Sequence, residues 1–173
     1  MRFHLRLLGG AMVFTLFLVL ILFHGCTSKE KEGATAPDFA LEDVSGKRVV
    51  LQDLRGRYVL IDFWATWCPP CLQSIPELVE LHRKYRDQGL VVLGISLDDP
   101  RRVDNPSLVA FMEKYRIEYP VLRGTESMVR AYAGAEGMAI PTMVFVNRDG
   151  RIVEKIVGFM PGRVETFIKK LLG

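Results

Sequence analysis

The spacing of hydrophobic and polar positions changes several times along the chain, and each change marks an element. Residues 37–56, PDFALEDVSGKRVVLQDLRG, alternate apolar and polar on either side of Ser45-Gly46. A period of two around a turn dipeptide predicts a β-hairpin. Residues 57–65, RYVLIDFWA, are almost continuously apolar, with Asp62 the one acidic interruption. Such a run, bounded by Gly56 and a cysteine pair, predicts a central strand covered on both faces. A helix is predicted from about Pro70 to Asp87, with Leu72, Ile75, Leu78, Val79 and Tyr85 near one face and Gly89 as its stop.

LVVLGISL, residues 90–97, reads as a second buried strand. NPSLVAFMEKY, residues 105–115, reads as a helix with Asn105 as its cap and Pro106 at the first helical position. ESMVRAYA, residues 126–133, gives a shorter helix. Residues 142–158 contain two strands joined across Asn147 to Gly150, an Asp-Gly hairpin signal. GRVETFIKKLL closes the chain as an amphipathic helix with Val164, Phe167, Ile168 and Leu171 at helical spacing. The predicted order is hairpin, β, α, β, α, α, β, β, α. The early βαβ portion needs a right-handed parallel crossover and the late hairpin is antiparallel, so the sheet is mixed, with helices on both faces.

Composition adds one segment that this plan does not use. Of 173 residues, 49% are hydrophobic and 25% charged, which suits one globular domain plus an apolar extra. The extra is at the front, where Arg2 and Arg6 precede an uncharged run of 17 residues, 7–23. As a helix it would be about 25 Å long, slightly short of a hydrocarbon core of about 30 Å. It has no polar face, which argues against a buried core helix. The run ends in LFHGC, followed by the polar stretch TSKEKEGATA. Gly25-Cys26 resembles the end of a bacterial lipoprotein signal, in which a small residue precedes the cysteine to be lipidated. Lipidation of Cys26 and retention as an uncleaved membrane helix are the two readings. Both leave the positive N-terminus in the cytoplasm and export the rest. The plan is then a signal peptide or anchor over residues 1–25, a tether over 26–36 and a domain over 37–173. The net charge of +3 includes Arg2 and Arg6, and no basic stripe suggests nucleic acid.

Three cysteines are present. With Cys26 used at the membrane, Cys68 and Cys71 remain, in WCPPC. Zinc usually needs four ligands, and the exported part offers no third cysteine and only His82, roughly 16 Å further along the predicted helix. A structural staple closing so short a loop would stabilise little. The redox reading has a physical cause at each position. At a helix start, unsatisfied N–H groups and the helix dipole favour a thiolate at Cys68, making it the attacking sulfur and a good leaving group. Cys71 lies about one turn later and can resolve a mixed disulfide. Pro69 and Pro70 suit a first turn, and they withhold two N–H donors from the Cys68 sulfur. No cofactor or metal is needed.

These motifs resemble the thioredoxin superfamily. DFWATWCPPC is nearly its active-site signature, Pro76 matches the proline within its active-site helix, AIPT at 139–142 its cis-proline loop, and Gly158 the glycine after its last strand. The resemblance covers residues 37–173 and implies an α/β, thioredoxin-like fold. The leading hairpin and the helical insert at 100–118 look like the TlpA/ResA-like branch, membrane-tethered exported thioredoxins, many of which reduce protein disulfides, including those of apocytochrome c. The resemblance implies protein disulfide substrates, a membrane thiol-electron transporter as donor, and action as a monomer. It also implies a substrate-facing surface of Trp67, Pro69, Pro70, Ile140 and Pro141, with a cis bond at Ile140-Pro141 that sets the Ile140 backbone beside the sulfurs. Two positions depart from the branch. Asp62 stands where its members often carry asparagine, and Ser74 where they often carry glutamate. Asp62 instead matches the buried aspartate of ordinary thioredoxins. A buried acid of raised pKa is suited to shuttle the Cys71 proton. Trp64 is expected in the core.

Two other functions fit parts of the chain. Peroxiredoxins share the fold and a similar PDFALEDVSG opening, but their signature places a threonine and a proline where this chain has Ala65 and Ile61. A redox-inactive docking module could dispense with the cysteine pair, which is present here.

Overall fold

The computed structural model describes residues 33–134 and 137–173. The leader, Cys26 and most of the tether lie outside the described residues. Among those described, no helix is long and apolar enough to cross a membrane.

The hairpin pairs β1 (Ala40–Glu42) with β2 (Arg48–Val50), Leu41 opposite Val49. Asp43 Oδ1 accepts from the amides of Ser45 and Lys47, tying the turn. The Val44 amide donates to Val121 (2.9 Å), which fastens this small sheet to the edge of the main one. The main sheet contains β3 (Tyr58–Trp64), β4 (Leu90–Ser96), β5 (Val121–Arg123), β6 (Thr142–Val146) and β7 (Ile152–Val157), in spatial order β5-β4-β3-β6-β7. β3 runs parallel to β4 and antiparallel to β6, and all seven of its residues are buried. A strand covered on both faces cannot alternate polar with apolar, which explains a run that is apolar at every position but Asp62. The mixed sheet with its parallel start and antiparallel end is as expected.

Among the described residues four helices cover the sheet: α1 (Pro69–Tyr85), α2 (Asn105–Tyr115), α3 (Glu126–Ala133) and α4 (Arg163–Leu172). α1 begins at Pro69, one residue before the expected start. It passes through Pro76, then tightens into a 3-10 turn, Arg86–Gln88, and stops at Gly89 with φ +92°. Glycine tolerates that left-handed conformation without a Cβ clash. Leu60 and Trp64 on one face of β3 pack with residues of α1, α2 and α4. Val59, Ile61 and Phe63 on the other face pack with the hairpin and with Met128 and Tyr132 of α3.

One expectation needs correction, and one strand was not anticipated. The cap of α2 is Asp104, not Asn105. Asp104 Oδ1 accepts from the Ser107 amide (2.8 Å), and Asn105 and Pro106 fill the first turn. A capping oxygen reaches the N–H two or three residues on, and Asp104 stands at that distance from Ser107. β5 was not expected at all. Three residues are too few to show a period, and this strand exists because Gly94, Ile95 and Ser96 of β4 offer it a parallel edge. The last residues assigned to the tether also join the domain. Thr35 bridges Arg151, and the Ala36 amide donates to Gly150 (3.0 Å).

Candidate active site

The site is built where β3 hands the chain to α1. Cys68 is the cap residue of α1, with extended φ/ψ of −95° and 105°, and its sulfur is bonded to that of Cys71. The spacing of three places both Cα atoms on one turn, 5.2 Å apart. Pro69 and Pro70 occupy the first turn, where a missing N–H costs nothing. The Cys71 amide is therefore the first donor of the helix. It donates to Cys68 Sγ (3.3 Å) and to the Cys68 carbonyl (3.1 Å). Cys68 is 3% exposed and Cys71 0%, whereas Trp67 beside them is 66% exposed. Pro69 and Pro70 are exposed too, so the open rim of the sulfur pair is apolar. Among the described residues no cluster of His, Cys, Asp and Glu has the makings of a metal site.

A second loop closes over the sulfurs. The carbonyl oxygen of Ile140 lies 3.7 Å from Cys68 Sγ, and the Ile140-Pro141 peptide is cis. Thr142 Oγ1 donates back to Ala139 (2.6 Å), and the Gly158 amide donates to Pro141 (2.8 Å), so both sides of the loop are fixed. Ile140 is half-buried and Pro141 buried. Val157 and Met160, just beyond, are among the few large apolar side chains left exposed.

Asp62 lies beneath. Side chains alternate along a strand, so Asp62 shares the face of Leu60 and Trp64, which pack in the same cluster as Cys71 and Ile75. It is fully buried, and neither carboxyl oxygen has a hydrogen-bond partner. Burial disfavours its charged form and pushes its pKa from 3.8 to about 7. Ser74 is also buried, and its hydroxyl donates to the Cys71 carbonyl (2.9 Å), holding the first turn of α1. Trp64 is fully buried and stacks on Phe111, with ring centroids 5.3 Å apart.

The sequence reading missed the residues that hold the approach to Cys68. Asp98, 5% exposed, follows β4. Its oxygens accept from the Thr66 amide (3.1 and 3.2 Å), from Thr66 Oγ1 (2.7 Å) and from Ser96 Oγ (2.9 Å). The Leu97 amide also donates to the Trp64 carbonyl (2.8 Å). The strand end after β4 is thus clamped to the loop that delivers Cys68. The available signal was two polar residues at alternate positions, Ser96 and Asp98, closing an apolar run. That pattern shows a shared side but not what it faces.

A dithiol–disulfide pair at the head of a helix, a cis-proline loop against it and a buried acid below define a thioredoxin-fold redox protein. The AhpC/TSA family matches residues 33–155. The chain is 31% identical over 169 residues to the thiol-disulfide oxidoreductase ResA of Bacillus anthracis, covering 96% of this chain and 92% of that protein. It is 34% identical over 131 residues to ResA of Bacillus subtilis (strain 168), covering 75% and 69%. Among solved structures, a putative thiol:disulfide interchange protein DsbE from Chlorobium tepidum superposes with TM-score 0.71 at 32% identity, covering 83% of this chain and 99% of that one. The chain belongs to the AhpC/TSA family and, within it, to the ResA-like thiol–disulfide oxidoreductases.

Proposed function

We propose that this oxidoreductase is exported, tethered to a membrane by its N-terminal segment, and reduces disulfides in other exported proteins. One observation carries the direction. Among the described hydrogen bonds, a single donor, the Cys71 amide, reaches Cys68 Sγ, because Pro69 and Pro70 have no N–H to offer. A dithiol whose thiolate is strongly stabilised makes an oxidising couple; weak stabilisation favours the disulfide and makes the dithiol a reductant. A carboxylate at Asp62 acts in the same direction by opposing negative charge on the sulfurs.

In the reduced protein the Cys68 thiolate attacks one sulfur of the substrate disulfide. A bond forms to that sulfur, the substrate's S–S bond breaks, and the other substrate sulfur leaves as a thiolate that takes a proton from water. Cys71 then gives its proton to the Asp62 carboxylate and attacks the Cys68 sulfur. The second substrate thiolate leaves, and the Cys68–Cys71 disulfide forms. Two electrons have passed to the substrate. Cys71 is fully covered, and Asp62, buried on the same side with a pKa near neutrality, is suited to accept its proton. Trp67, Pro69 and Pro70 supply the apolar rim for the substrate, and the Ile140 backbone lies beside the attacking sulfur for an extended segment to pair with. Exported proteins with close cysteine pairs, apocytochrome c among them, form the substrate class. A membrane dithiol transporter restores the reduced form.

Cys71→Ser tests this reading. Without the resolving sulfur, mixed disulfides through Cys68 accumulate in cells and release exported proteins on reduction. A variant that traps nothing, while Cys68→Ser traps partners, would reverse the roles of attacker and resolver.

A further inference from the structure

Around Asp62 the core contains polar atoms that the exchange steps leave unused. Trp64 Nε1 and the Tyr119 hydroxyl are buried without hydrogen-bond partners, as are both Asp62 oxygens. Trp64 and Tyr119 are 0% and 1% exposed. They meet over Gly94, which stands directly beside Asp62 in the β3–β4 ladder. A Cβ on Gly94 would come 2.9 Å from Trp64 Nε1 and 3.2 Å from the Tyr119 ring, so only glycine lets both groups pack against this point of the strand. Tyr119 is fixed there by its own chain, since the Gly94 amide donates to the carbonyl of the next residue, Pro120 (2.9 Å).

Donors and acceptors at this spot complement one another. The indole offers one N–H and the phenol one O–H, while an ionised carboxylate only accepts. Burial and, after it, the nearby Asp62 charge push the Tyr119 hydroxyl well above its ordinary pKa, so it keeps its proton. A buried water needs two to four polar partners, and a site with two donors and a carboxylate supplies them. We propose that Tyr119 is a positioning residue for Asp62: its hydroxyl, with the Trp64 N–H, donates to a bridging water that donates in turn to the carboxylate, and so sets the pH at which Asp62 exchanges its proton.

The surroundings hold few competing groups. From α1 come Cys71 and, further along, His82, whose ring stands edge-on to Tyr119 with centroids 5.9 Å apart. Burial, then Arg86, push the imidazole below its ordinary pKa; Glu118 opposes them, and Arg83 adds to the lowering. Glu118 and Arg83 pair with each other at the surface. β4 and β6 bring Gly94 and Met143 beside Asp62, and α2 brings Phe111 against Trp64. Burial is the single cause shifting Asp62 itself.

This inference deepens the proton-acceptor reading of Asp62 and rests on it for its kinetic consequence. The test uses Tyr119→Phe, which keeps the ring and removes only the hydroxyl, with Asp62→Asn and the double variant. Asp62 is followed by carbon NMR of its carboxyl in the oxidised protein, and disulfide exchange is followed against pH. In Tyr119→Phe the bridging water loses one of the two donors that hold it and its bond to the carboxylate weakens, so the Asp62 midpoint should rise by about one pH unit, a tenfold change in proton affinity. The acid limb of the exchange profile should move by the same amount, and Asp62→Asn and the double variant should give superimposable profiles. An Asp62 midpoint that does not move in Tyr119→Phe overturns the proposal. So does an equal kinetic shift in the Asp62→Asn background. If the carboxyl midpoint moves while Asp62→Asn exchanges at the wild-type rate, the positioning role stands and the proton-acceptor reading fails.

Discussion

Replacing Asp62 by asparagine should change stability in a pH-dependent way whose sign follows from burial. The folded carboxyl titrates at about 7 against an ordinary value of 3.8. A carboxyl that holds its proton more tightly in the folded state stabilises the fold at low pH. That contribution is full below pH 3.8 and is lost as pH rises through about 7. At about 1.4 kcal/mol per pH unit, the interval is worth on the order of 4 kcal/mol. Asparagine keeps the shape and a similar polarity but has no proton to lose. Urea unfolding of the oxidised proteins should therefore give nearly equal stabilities at pH 4. At pH 8 the variant should be ahead by on the order of 4 kcal/mol, with most of the gap opening between pH 4 and 7. The same substitution should slow disulfide exchange by on the order of a hundredfold near pH 7, the usual worth of a positioned base, and by less at high pH where Cys71 ionises unaided. A stability difference that stays constant from pH 4 to pH 8 would refute the buried-acid reasoning. A uniform loss of rate across pH would mean structural damage rather than a lost base.

Asp98→Ala should remove the acceptor for Thr66 and Ser96 and leave their donors unsatisfied, costing about 2–4 kcal/mol in urea unfolding and slowing exchange through a loosened Cys68 loop. A neutral effect on both would show that the clamp does not position the site. If Cys26 is lipidated, Cys26→Ala should leave the longer precursor, seen by mass spectrometry of the membrane fraction. A wild-type chain that keeps residues 1–23 and has no lipid would instead make the segment a permanent anchor.

The long elements were legible because their burial is one-sided or complete. The seven buried residues of β3 and the stripe on α1 reproduce their apolar patterns, and Gly89 and Gly150 end or turn the chain where their φ is positive. β5 was not legible, since a three-residue edge strand is defined by its neighbour rather than by its own pattern. The Asp104 cap was hidden for a milder reason: Asp104 and Asn105 are both good caps, and only backbone geometry decides which of them the helix uses. At the site, Cys68, Cys71 and Asp62 could be picked out because a short spacing or an acid in an apolar run is visible locally, whereas the proline loop at Ile140-Pro141 was picked out only by its resemblance to the family's loop. Asp98 and Tyr119 could not be. Their roles depend on contacts across the sheet, between segments 32 residues apart in the first case and converging on Gly94 in the second.

The reduction potential of the Cys68–Cys71 couple tests the central claim most directly. Equilibration with glutathione buffers, read by alkylation of free thiols, should give one two-electron transition. With one amide donor at Cys68, the expected midpoint is below about −200 mV, on the reducing side of typical disulfide isomerases and toward thioredoxin. A midpoint near about −120 mV, that of a strong oxidant, would contradict a reductant and show that the Cys68 thiolate is stabilised far more than a single donor allows.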